Sequence, residues 1–254
     1  MANHSFPVTT RRATQPFQLI HSDLKLFPIN SYHKYQYLIV FFDNYTSNAW
    51  TVKLHKKDAA LTATAQFIAL VETQFASRVV QWMSDAGGEY KSAVFNKMLK
   101  DKEIEVLQSI PSAHQQNSRA EQIIRTLMEK ADTMHFQACL PQSWWEFLVE
   151  HATYHVYNHT PLHCLNRQTP FKLLYKERPS ISNLQVFGCW AYVFVPVEIR
   201  ANKLTPKSKL MTYLGNAPSA GGFVFMQSPN NVLFYATHCI FNEMLFLKCS
   251  TQVP

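Results

Sequence analysis

The sequence predicts an α/β fold, a mixed sheet flanked by helices, followed by a small all-β module of barrel-like type. Three observations predict it. Up to Tyr175, short aromatic and β-branched runs alternate with long apolar-periodic stretches that lack glycine and proline. Beyond Lys176, helical periodicity stops and brief strand-like runs are separated by Pro, Gly and Asn turns. The chain of 254 residues is 47% hydrophobic, enough for one ample core and a smaller second one. The expected division is a tail or linker over 1–16, a larger α/β unit over 17–176 and the β unit over 177–254.

Taken in order, F17-Q-L-I-H-S-D23 and Y37-L-I-V-F-F-D43 read as buried strands, and A49-W-T-V-K-L54 as a third. The Ala-rich stretch 59–75 repeats apolar residues at three- and four-residue steps and reads as a helix. V79-V-Q-W-M83 returns to strand and runs into the Gly87-Gly88 turn. Residues 93–100 form a short helix, I104-E-V-L107 a strand, 111–118 a polar loop and 120–134 a strong helix. A further helix follows over 144–157, then a short one from Pro170 to Tyr175 with proline in its first turn. In the β unit, strands are expected at 184–195, 210–215, 222–226 and 232–235.

Net charge is +7, which favours a polyanionic partner without identifying one. Five cysteines, an odd number with no C-x-x-C pair, argue against a disulfide framework and a Cys-rich zinc site; they read as reduced, mostly buried residues of an intracellular protein. No apolar run has the length of a membrane span, and the N-terminus lacks the apolar core of a secretory signal. No membrane partner is expected.

Three acidic residues stand in distinctive surroundings: Asp23 in H21-S-D-L24, Asp85 in M83-S-D-A-G-G-E-Y90 and Glu121 in H114-Q-Q-N-S-R-A-E-Q122. Between Asp85 and Glu121 lie 35 residues. Two Asp at strand ends and a Glu in the first turn of a later helix can converge into an oxygen-rich cluster. Such a cluster suits two Mg²⁺ ions about 3.5–4 Å apart, which serve in-line displacement at a phosphodiester. Clustered carboxylates repel one another, so metal must neutralise them. Gln116, Asn117, Arg119, Arg125 and Lys130, on or beside the same helix, offer amide and cationic groups for nucleic-acid contacts.

Other residues have plainer readings. Asp43 and Glu89 compete for the metal role, although acids at strand ends are more often solvated or turn-forming; Asp43, a candidate rim residue, is better read as closing the first hairpin, and Glu89 follows the glycine turn. His21 reads as a packed core histidine. The His151/His155 pair has helical i, i+4 spacing but no intervening Glu, and reads as core or surface. Trp144-Trp145 is expected to pack on the sheet. The basic stretch R200-A-N-K-L-T-P-K-S-K209 is either a solvated loop or a nucleic-acid backbone contact.

Together these residues resemble the integrase of copia-type long-terminal-repeat retrotransposons. The resemblance rests on five ordered segments: H21-S-D23, D85-A-G-G-E-Y90, Q115-Q-N-S-R-A-E-Q122, W145-E-F-L-V-E-H-A-T-Y-H-V-Y-N-H-T160 with Pro161, and V186-F-G-C-W-A-Y192. It implies a ribonuclease H-like core followed by a small Src-homology-type β-barrel. It also implies 3′-end processing and strand transfer of element DNA into a target, with Asp23, Asp85 and Glu121 holding two Mg²⁺ or Mn²⁺ ions. DNA, a homo-oligomeric assembly and a nuclear location with a cytoplasmic assembly stage follow from the same resemblance.

The sequence also departs from the family pattern. Only His4 stands before the core where the family has a His-His-Cys-Cys zinc domain, so no zinc is expected. Ser118 replaces a glycine, Gln122 an arginine and Ile124 an asparagine, all in or beside the Glu121 helix. These departures suggest a piece of a polyprotein. The competing readings are a non-catalytic nucleic-acid-binding remnant and a ribonuclease H-like nuclease of another family.

Overall fold

The structure, a computed structural model, describes residues 12–84, 92–108, 118–182, 184–217 and 221–246, with the backbone alone at 108, 118 and 119. A five-stranded sheet comes first, built from β1 (Leu19–Leu26), β2 (Tyr37–Asp43), β3 (Ala49–Leu54), β4 (Gln81–Ser84) and β5 (Glu105–Gln108). Its strand order is β3-β2-β1-β4-β5. The first three strands form an antiparallel meander, and β1, β4 and β5 run parallel. The expected mixed sheet is therefore present, with helices α1 (Ala60–Gln74), α2 (Ala93–Asp101), α3 (Ser118–Ala138), α4 (Trp145–His151) and α5 (Pro170–Tyr175) around it.

The period-2 alternation of β2 assigns the two faces. Ile39 and Phe41 join α1 residues Phe67, Ile68 and Val71, together with Trp82, Phe95 and Leu99. Phe41 stacks on Phe67 with ring centroids 4.4 Å apart. Leu38 and Val40 point the other way and pack with Ile124, Leu127 and Ala131 of α3 and with Phe147 and Leu148 of α4. Two cores thus lie on opposite sides of one sheet. Local signals hold the ends: Ser92 Oγ accepts the Phe95 N–H to start α2, and Thr169 Oγ1 accepts the Lys172 N–H ahead of the proline-led α5.

Directly after α4, residues Ala152–Tyr157 form a π-helical turn. The second sheet is entirely antiparallel, in the order β10-β6-β7-β8-β9. It comprises β6 (Cys189–Phe194), β7 (Ser208–Asn216), β8 (Phe223–Gln227), β9 (Val232–Ala236) and β10 (Cys239–Phe246). One of its faces encloses Cys189, Ala191, Val193, Met211, Tyr213 and Phe225. The other presents Leu214, Val224 and Met226 to the α3–α4 core.

Strand β10 was not expected from the sequence. It pairs with β6 through a register shift between Asn242 and Phe246, which breaks the simple alternation. The strand expected at 184–195 begins only at Cys189, because Gly188 turns the chain at φ +81. Phe17, expected to open β1, lies before it at φ +61 with its N–H on Asp43. None of the four described cysteines is in a disulfide, and Cys189 alone of them is buried, fewer than expected. Among the described residues no helix is long and apolar enough to cross a membrane.

Candidate active site

Strand β1 sorts its side chains by parity. Ser22 and Leu24 face the α1 side, where Trp82 Nε1 donates to Ser22 Oγ over 3.1 Å and Leu24 borders that core. His21, Asp23 and Lys25 occupy the opposite face. Their cross-strand partners are Phe42, Val40 and Leu38, and the last two belong to the core that α3 covers. Residues directly opposite on antiparallel strands share a face. Asp23 therefore projects from the side of the sheet on which α3 lies.

Asp23 is half-buried, and its Oδ1 accepts the Leu24 N–H at 2.8 Å. On the neighbouring strand, β4 ends at Ser84, in register with Ser22. Asp85 and Glu89 lie outside the described residues, as do Gln116 and Asn117 and the side chain of Arg119. Glu121 is exposed in the first turn of α3, where the positive end of the helix dipole favours a carboxylate. One turn later Ile124 is buried in the core that also holds Val40, and α3 packs on β1 and β2. Arg125, four residues after Glu121, shares its side of the helix and is exposed. Lys130 falls about 180° around the helix axis from Glu121 at 3.6 residues per turn. Among the described residues no three metal-binding side chains cluster.

Asp43 is the hairpin closer expected of it. It is fully buried: Oδ1 accepts the Phe17 N–H at 3.0 Å, and Oδ2 accepts the Thr46 N–H at 2.8 Å and hydroxyl at 2.6 Å. Burial pushes its carboxyl up, against the lowering effect of those bonds. His21 is a packed core residue, with Asn44 Nδ2 donating to its Nε2 over 2.9 Å. His151 is buried against Phe187, which precedes β6, and Tyr213 of β7, and burial, then the nearby His155, push its pKa down to about 3. Lys25, two residues past Asp23 on the same face, was missed by the sequence reading although the strand alternation contains it.

Residues 13–114 match the integrase core domain family. Over 97% of its length the chain is 29% identical to the retrovirus-related Pol polyprotein from transposon RE2 of Arabidopsis thaliana. Over 94% it is 30% identical to that from transposon TNT 1-94 of Nicotiana tabacum. The chain carries an integrase core domain over residues 13–114. It spans only 17% and 18% of the length of those two polyproteins. Among solved structures, the fold resembles a chain of the simian T-cell lymphotropic virus intasome in complex with PP2A regulatory subunit B56 gamma. That likeness has a TM-score of 0.54 at 18% identity and covers 89% of this chain and 78% of the other. At that coverage the likeness of fold takes in part of the antiparallel sheet as well as the mixed sheet.

Proposed function

We propose that this integrase chain cuts and joins DNA by metal-dependent transesterification, performing 3′-end processing and strand transfer of element DNA. The observation that carries this reading is the position of Asp23, on the central strand and on the α3-covered face, with Glu121 in the first turn of α3. In the sequence Asp85 directly follows Ser84, and Ser84 is paired beside Ser22. Residues 17–176 would form the catalytic unit and 177–254 an accessory β unit.

The donors Asp23, Asp85 and Glu121 are all carboxylates, a set suited to hard cations such as Mg²⁺ or Mn²⁺ rather than to zinc. Bound there, two ions would supply Lewis-acid activation of a water or 3′-hydroxyl and stabilise charge on the leaving oxygen. The chain's own residues have separate tasks. The Leu24 N–H orients the Asp23 carboxylate. Arg125, on the Glu121 side of α3, is set to meet a phosphate, and Gln116, Asn117 and Arg119 extend the DNA contact, while Lys130 lies on the opposite side of the helix. Strand transfer exchanges one P–O bond for another and needs no nucleotide cofactor. A homo-oligomer holding two DNA ends in the nucleus completes the proposal.

The test is disintegration, the reversal of strand transfer, on a branched DNA substrate with Mn²⁺ or Mg²⁺, using the wild type beside Glu121→Gln. Metal-dependent product from the wild type and none from an equally stable variant is the expected result. Folded wild-type protein that binds DNA yet gives no product would replace this proposal with a non-catalytic binding role.

A further inference from the structure

The end of β1, the loop over 27–36, the start of β2 and the segment after β3 meet at one end of the first sheet. The register aligns Leu26 with Tyr37 and Tyr37 with Leu54. This is the end toward which β1 runs from Asp23. Lys25, Lys34 and Lys56 are gathered there, and none of them is ion-paired with a described carboxylate. Nearby acids are already engaged. Glu146 is buried and accepts the His33 N–H at 2.9 Å and its imidazole at 3.1 Å, while Glu150 is paired with Lys53. Asp58 is the remaining exposed carboxylate of this segment.

The shelf is also held stiffly. His55 Nδ1 donates to the Lys34 carbonyl at 3.2 Å, and Tyr35 stacks on His55 with centroids 4.3 Å apart. Ser31 Oγ accepts the Tyr35 N–H at 2.9 Å. Trp145 Nε1 donates to the Ile29 carbonyl at 2.9 Å, and the Trp145 ring stacks on Phe27 at 3.8 Å. Lys34 itself sits at φ +67, a conformation glycine or asparagine adopts at less cost. A lysine kept there, with its carbonyl tied down and its side chain exposed, carries its positive charge from a fixed point of the backbone.

We propose that Lys25, Lys34 and Lys56 form a second DNA-backbone contact, on the β3 side of the carboxylates and separate from the α3 cations. The inference rests on DNA as the substrate, as proposed above. Adjacent strands are about 4.8 Å apart, so a shelf running from β1 to the end of β3 spans roughly 10 Å. Duplex DNA carries one negative charge per about 1.7 Å of axis, so several phosphates face such a shelf. Lysines act here as point charges and read no sequence.

The experiment measures affinity for a fluorescein-labelled DNA duplex by anisotropy over a range of KCl concentrations, without divalent metal. Lys34→Asn with Lys56→Gln removes both charges while asparagine tolerates the Lys34 backbone. The slope of log K against log salt should become shallower by about 1.8, or 0.9 per phosphate contact. Lys56→Gln alone should account for about half of that change, and Lys34→Arg with Lys56→Arg should keep the wild-type slope. The comparison double, Arg78→Ala with Lys102→Ala, removes two cations that are paired with Glu103 and Glu72 at the opposite end of the parallel strands. It should leave the slope unchanged. An unaltered slope in the shelf variants, or an equal loss in the comparison double, overturns the inference. Binding is read without catalysis, so a protein inactive in disintegration can still pass this test.

Discussion

Asn158 grips the outer edge of β3 at Ala49 as a neighbouring strand would. The Ala49 N–H donates to Asn158 Oδ1 at 3.0 Å, and Asn158 Nδ2 donates to the Ala49 carbonyl at 2.9 Å. The contact repeats along the edge. Four residues earlier, the Tyr154 hydroxyl lies 3.3 Å from the Thr51 N–H and 3.4 Å from its carbonyl, and four earlier again Glu150 pairs with Lys53. Rungs at 150, 154 and 158 thus meet strand positions 53, 51 and 49. Four residues of helix rise about 6 Å and two residues of strand about 6.8 Å, which is close enough to stay in step. The π-turn helps, since its i→i+5 pattern, seen in the Asn158 N–H to Thr153 carbonyl bond at 3.1 Å, rotates each rung back toward the strand. A bare sheet edge invites pairing with other chains, and this ladder covers it.

Asn158→Ala should destabilise the chain by about 3 kcal/mol, because it leaves a buried N–H and a buried carbonyl unmade. Tyr154→Phe should cost only about 1 kcal/mol, since its bonds are long. Urea unfolding of both variants checks the order, and an Asn158→Ala cost no larger than that of Tyr154→Phe would contradict the ladder.

Gly188→Ala tests the junction between the second sheet and α3. A Cβ at this position would collide with the Ala138 Cβ, and φ +81 adds backbone strain. The expected loss is about 2–4 kcal/mol, read as a lowered thermal midpoint. A neutral result would mean that the two elements separate easily.

His151 should dominate one limb of the acid response. Its folded pKa of about 3 lies below the ordinary 6.5, so the unfolded chain takes up the proton first. The stabilising contribution is fully present above pH 6.5 and is lost as pH falls from 6.5 toward about 3. His151→Leu, which keeps an apolar contact with Phe187 and Tyr213, should flatten the fall in urea midpoint across that window. An unchanged acid limb would refute the assignment.

Asp43 should act in the opposite sense. Its folded pKa is raised above 3.8, so it is the folded state that holds the proton more tightly. That contribution is complete below the unfolded value and is lost as pH rises through the folded one. Relative to Asp43→Asn, the wild type should therefore lose stability on going upward from about pH 4. Parallel pH profiles for the two proteins would exclude it.

Much of this was legible because its signals are local. Strands β2 and β3 begin and end where their aromatic and β-branched runs do, and Asp43 closes the hairpin as its position suggested. Strand β10 was not legible. Its outward residues Ile240, Met244 and Leu245 are apolar yet exposed, and its pairing partner β6 lies far back in the chain. The helix over 144–157 was recognisable, but not its break into an α and a π portion, which follows the spacing of β3.

The sequence by itself determined the elements of the first sheet, the helices around it and the acidic residues set in family-like surroundings. Those follow from periods of two and 3.6 and from turn residues, which act within a few positions. Only the tertiary structure decided that Asp23 and Lys25 share the α3 face, that Tyr154 and Asn158 serve an edge strand, and that His55 after β3 ties down the Lys34 carbonyl. These depend on strand register and on packing between distant segments, where a shift of one residue would turn every side chain to the other face.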